Sequence, residues 1–116
     1  MLNPRVVEGQ LHGATAQGVA GALFEEVVYA SDGQNLSATL LDYAMPIASD
    51  LPSFDVQHVE HPDPATPLGM KGMAEGGVMG ASAAISNAIA DALAPLGVEL
   101  TRQPFTARRL GERLRS

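Results

Sequence analysis

The chain has 116 residues, a formal charge of −6, 46% apolar and 17% charged residues, and no cysteine. That length is one small domain, and the missing cysteine excludes disulfides, thiolate-held metals, iron–sulfur ligation and a cysteine nucleophile. Aromatic residues at 4% give no stacking platform for single-stranded nucleic acid, and no apolar run reaches the roughly 20 residues of a membrane-spanning helix.

The opening MLNPRVVEGQ lacks the basic-then-apolar order of a secretory signal, so a cytoplasmic protein is expected. Residues 7–24 place Leu11, Thr15, Val19 and Leu23 at four-residue spacing, which predicts a helix. Gly9, Gly13, Gly18 and Gly21 each weaken that helix by about 1 kcal/mol relative to alanine. A helix that keeps four glycines is expected to lie very close to another backbone or to a ligand. Residues 25–43 predict two strands around an Asp32–Gly33 turn. Pro46 and Pro52 break the next stretch into a loop, and FDVQHVE at 54–60 alternates as a third strand. A long loop rich in proline and glycine follows over 61–77. Val78, Ala81, Ile85, Ile89, Ala92 and Leu96 then trace a helical stripe that ends at Pro95 and Gly97. VELTRQPF adds a short strand before a final helix with Thr106 as N-cap and Leu110 and Leu114 on one face.

Charge is unevenly placed, with residues 1–101 at −10 and residues 102–116 at +4. The terminal arginines form a solvated face or pair with the acidic body, and the overall acidity argues against nucleic acid as partner. The expected fold is α+β: a small, mostly antiparallel sheet packed with two main helices and a short C-terminal helix.

PLGMKGMAEGG, Pro67 to Gly77, places Lys71 and Glu75 on a glycine-rich loop entering a helix. Orphan N–H groups at a helix start favour anions. A phosphate loop needs Ser or Thr after the lysine, and here Gly72 stands there. Glu75 is then either a general base or a solvated capping residue. Gln10 and Gln17 share one helical face, where their amides can recognise a heterocycle or join two helices. His58 and Glu60 share one face of a strand while His61 points the other way, so no metal site is expected. His12 reads as a packing residue. Ser82 and Ser86 lie within a helix without a nucleophile elbow.

Three blocks, NPRVVEGQLHGATAQGVAGALFEEVVY, LLDYAMPIASDLPSFDVQHVE and PLGMKGMAEGGVMGASAAISNAIADAL, together resemble the C-terminal part of the molybdopterin-binding large subunit of the xanthine dehydrogenase, aldehyde oxidase and carbon monoxide dehydrogenase family. Their details are closer to bacterial carbon monoxide dehydrogenase-like large subunits. The resemblance puts Gln10 and Gln17 on the family's pterin-contacting glutamines. It puts Glu75 on the glutamate beside molybdenum, within a GxKGxGExG pattern that also includes Lys71 and Gly72 as cofactor-binding positions. Ala74 departs from the family's usual glycine, and its methyl beside a crowded cofactor is expected to strain the loop or lower activity.

What the resemblance implies is water-derived hydroxylation of a carbon centre in an aldehyde, an N-heterocycle or carbon monoxide. The cofactor would be molybdenum-molybdopterin, in bacterial relatives usually the cytosine dinucleotide form, with the metal held by the pterin and by no protein side chain. Partners would be the rest of the large subunit together with iron–sulfur and flavin subunits. Residues 1–116 then form a single partial domain, the C-terminal piece of a larger molybdenum-binding domain, without tight cofactor binding or hydroxylase activity of its own. The alternative is a non-catalytic interaction or assembly module derived from that family, with exposed faces that favour a homo-oligomer.

Overall fold

Asn3 opens the longest element. The computed structural model describes residues 1–115. Helix α1 spans Pro4–Leu23, and the Asn3 side chain accepts from the Val6 N–H at 3.2 Å. Pro4 fills the first helical position, where no N–H bond is needed. The helix therefore starts three residues before the apolar spacing alone indicates. Helix α2 spans Val78–Leu93 and tightens into a 3₁₀ turn at Ala94–Leu96, and Gly97 leaves it in the left-handed conformation. Helix α3 spans Ala107–Arg113, with the Thr106 hydroxyl accepting from the Arg109 N–H.

α1 and α2 lie side by side in the same direction. A Cβ built on Gly18 would fall 2.4 Å from the Ala81 Cβ, and one on Gly77 would fall 3.0 Å from both the Ala14 Cβ and the Leu11 carbonyl oxygen. These contacts advance together along both helices. The Ser82 hydroxyl donates to the Gly18 carbonyl at 3.0 Å and completes the approach. The expectation for the four glycines therefore divides. Gly18, and more loosely Gly21, face α2, while a Cβ on Gly9 or Gly13 would meet nothing within 4 Å. At about 100° per residue, Gly9 lies opposite Gly18 on the helix.

The end of α1 is closed by the chain's last segment. Phe105 donates its N–H to the Ala22 carbonyl at 2.7 Å and so satisfies one of the helix's orphan acceptors. Ala20, Ala22 and Phe105 make up the buried apolar core. Glu26 accepts from Arg109 and also from Arg102 at 3.4 Å. Arg108 pairs with Glu112 at 3.0 Å. The tail's arginines thus divide between pairing with the acidic body and forming an exposed face of α3.

The expected small antiparallel sheet is absent among the described residues, so the α+β reading is corrected to a helical one with extended connections. What remains of the hairpin is one isolated bridge between Tyr29 and Asn35. The turn itself forms, with Gly33 at φ 87° and the Ala30 N–H donating to the Gln34 carbonyl at 2.8 Å. Pairing then stops for a local reason. The Val28 N–H donates to the Ser37 hydroxyl, and the Asn35 side-chain oxygen accepts from both the N–H and the hydroxyl of Ser37. Short polar side chains here replace ladder bonds with local ones. Beyond them, the Thr39 carbonyl accepts from the Asp42 and Tyr43 N–H groups, turning the expected second strand into a turn. The Tyr43 phenol is held above its ordinary pKa by partial burial, and then by the nearby Glu25 carboxylate.

Residues 54–60 are extended but unpaired, and residues 98–105 form no strand. The radius of gyration, 18.0 Å, exceeds the roughly 13 Å of a compact domain of about 100 residues.

Candidate functional site

The glycine-rich loop reaches α1 through a single side chain. Gln10 donates from Nε2 to the Ala74 carbonyl at 2.8 Å. The two motifs, 64 residues apart in sequence, thereby meet at one hydrogen bond immediately before Glu75. Two residues after Glu75, Gly77 lies against the backbone of α1 at Leu11 and Thr15. The Val78 N–H donates to the Glu75 carbonyl at 3.1 Å and closes the turn into α2. The loop is thus held by a side-chain bond on one side of Glu75 and by a close backbone approach on the other.

The remaining candidate residues surround this junction unevenly. Gln17 is exposed on α1, about 20° around the helix from Gln10 and about 10 Å further along its axis. Lys71, Gly72 and Glu75 are all exposed on the loop. Gly72 has open space where a Cβ would stand. The structure therefore brings Gln10 onto the loop, keeps Gln17 on the same side of α1, and leaves Lys71, Gly72 and Glu75 accessible. Exposed amide groups, an ammonium group and open backbone form a donor set that suits a heterocycle carrying anionic groups, so the residues present fit a pterin-type cofactor.

Ala74 does not strain the isolated loop. The single non-glycine residue with positive φ among those described is Leu68, at 59°, so position 74 has no backbone requirement for glycine. Leu68 is followed by Gly69 at φ 68°, where a Cβ would fall 2.7 Å from the Pro62 Cβ. These two positions form the tight entrance to the loop.

The other sequence candidates settle into packing. His12 faces Phe54, with ring centroids 6.0 Å apart and the planes tilted by 55°. Glu60 pairs with the N-terminal ammonium at 3.2 Å. The Ser86 hydroxyl donates to the Ser82 carbonyl within α2. A hollow of about 230 Å³ lies beneath α3, lined by Arg102, Phe105 and Arg109 among others, and its Arg109 is already engaged by Glu26. The reading from residues alone missed the roles of the Ala74 carbonyl and of Gly77. Both positions lie within the GxKGxGExG pattern, but they act here through backbone atoms and close approach, which the motif does not reveal.

The molybdopterin cofactor-binding domain model matches residues 1–52. The large subunit of nicotine 6-hydroxylase from Paenarthrobacter nicotinovorans is 41% identical over 106 residues, covering 91% of this chain and 13% of that protein. The carbon monoxide dehydrogenase large chain of Hydrogenophaga pseudoflava is 34% identical over 114 residues, covering 98% of this chain and 14% of that protein. Among solved structures, quinoline 2-oxidoreductase from Pseudomonas putida 86 superimposes with a TM-score of 0.94 at 40% identity, over 100% of this chain and 15% of that one. The chain thus spans 13–15% of the length of these relatives. No helix of the described residues is long and apolar enough to cross a membrane. In sequence and in fold, the chain matches one segment of the molybdopterin-binding large subunits of the xanthine dehydrogenase and carbon monoxide dehydrogenase family.

Proposed function

We propose that the chain is a partial domain of a molybdenum hydroxylase large subunit, and that it supplies cofactor contacts and the glutamate base. The carrying observation is the bond from Gln10 to the Ala74 carbonyl, which joins the two motifs beside Glu75. Gln17, Lys71 and the Gly72 backbone would hold the pterin side of the cofactor, with Gln10 holding both cofactor and loop. When bound, the cofactor supplies a metal centre that accepts electrons as water-derived oxygen is added to the substrate carbon. Glu75 would take the proton of the attacking oxygen, or orient the substrate, from a loop that α1 keeps in place. No protein side chain needs to ligate the metal.

The substrate class best supported is a nitrogen heterocycle. Nicotine 6-hydroxylase and quinoline 2-oxidoreductase share 41% and 40% identity with the chain, against 34% for the carbon monoxide dehydrogenases. The cytosine dinucleotide form of the cofactor, iron–sulfur and flavin partner subunits, and a cytoplasmic site of action belong to the same reading. An active site assembled from several segments needs each within about 0.5 Å, so the chain alone is expected to lack hydroxylase activity.

The test is reconstitution of the chain with a complementary large-subunit polypeptide and cofactor. Glu75→Gln and Glu75→Ala should lower the hydroxylation rate by about 10²-fold or more while cofactor content stays constant. Variants that match the wild-type rate would show that Glu75 is not the base.

A further inference from the structure

The segment Phe54–Glu60 has the form of a β-strand without a sheet. It runs along α1, with Phe54 against His12 at one end and Glu60 paired with the N-terminus at the other. Phe54 and Val56 are half-buried on its inner side, while Asp55, Gln57 and Val59 face outward, Val59 at 97% exposure. Burial alternates from Phe54 to Gln57 as on a pleated strand, and His58, Val59 and Glu60 are all exposed. Among the described residues, no hydrogen bond reaches the backbone N–H or C=O groups of Phe54–Glu60. The segment is therefore anchored on α1 at Phe54 and on the N-terminus at Glu60, its other face is open, and both edges offer unpaired donors and acceptors. An apolar patch alone would accept many partners, but two rows of free amide groups call for another extended backbone.

We propose that Phe54–Glu60 is an incomplete strand that pairs, backbone to backbone, with an extended segment from the remainder of a large-subunit polypeptide. The occupant follows from length, since the chain spans only 13–15% of the relatives it matches and the rest of such a subunit is the nearest source of an extended segment. This inference rests on the reading of the chain as part of a large subunit. It also accounts for the alternation of FDVQHVE, which forms no ladder among the described residues.

The test co-expresses the chain with the large subunit of quinoline 2-oxidoreductase from which the matching stretch has been removed, and follows amide hydrogen exchange residue by residue. In the complex, alternate amides of residues 54–60 should slow by about 100-fold relative to the chain alone. The paired variants Gln57→Pro and His58→Pro remove successive N–H groups, which point to opposite strand edges. Each should leave the unfolding of the chain alone unchanged, and at least one should weaken capture of the trimmed subunit by about tenfold or more. A complex that holds cofactor while residues 54–60 exchange as in the chain alone would overturn this inference and leave the reading of the function standing. Protection that rises with the concentration of the chain alone would make a second copy the occupant and overturn the proposal. Failure to form any complex would overturn both.

Discussion

Residues 4–23 and 78–93 bring two backbones into contact, whereas residues 25–66 leave theirs largely open. In the first region, glycine removes side chains so that α1 and α2 approach closely at Gly18 and Gly77, and each helix satisfies its own hydrogen bonds. In the second, large apolar residues remain in solvent, with Tyr29 at 63% and Leu41 at 97% exposure, and the extended backbone lacks a ladder. A helix is complete in itself once a face is covered. A strand is complete only with a neighbour. The contrast teaches that the helical region holds the site loop by itself, while the extended region is held by turns and scattered side-chain bonds and, under the strand pairing proposed above, would be completed by a segment of a larger subunit.

The difference can be broken most strongly at Gly18. Gly18→Val should destabilise the chain by about 3 kcal/mol in denaturant unfolding, because its side chain would enter the space of Ala81. A loss below about 1 kcal/mol would mean that the helices separate freely. Next comes the clamp at the end of α1. Glu26→Gln should cost about 1 kcal/mol, less at high salt, by weakening its bonds to Arg102 and Arg109. The carboxylate is 21% exposed, so screening is incomplete. Gly13→Ala sharpens the contrast with the opposite sign. It should stabilise by up to about 1 kcal/mol through helix propensity, since nothing lies within 4 Å of the new methyl. The smallest effect belongs to the extended region. Gln57→Ala should shift stability by less than about 0.5 kcal/mol, because the outward side chain covers no core. A larger loss there would show that the segment is packed and not open.

The three helices were legible in the sequence through apolar spacing, with Thr106 at the start of α3 and Gly97 beyond α2, whereas the Asn3–Pro4 start of α1 was not read and lies three residues earlier than the spacing indicated. The sheet was misread for an equally physical reason. Alternation in FDVQHVE sets an extended conformation, but pairing depends on a partner that alternation does not supply. In the hairpin, the Asp32–Gly33 turn was legible, and the interruption by Asn35 and Ser37 was not, since either residue is tolerated in a short strand. At the site, Gln10, Gln17 and Glu75 stood out through motif resemblance. The bond that joins Gln10 to position 74 lies outside any local pattern, because its acceptor is a carbonyl that every residue carries.

Gly77 carries one further consequence. It touches α1 and begins α2 only two residues after Glu75, so no compliant linker separates the proposed base from the helix interface. A change in the spacing of the two helices at Gly77 is expected to shift the loop that carries the carboxylate. The mechanical tolerance of the reaction geometry is therefore set by the smallest side chains in the molecule. Substitutions at Gly18, outside the glycine-rich loop, would act as alignment errors as well as losses of stability.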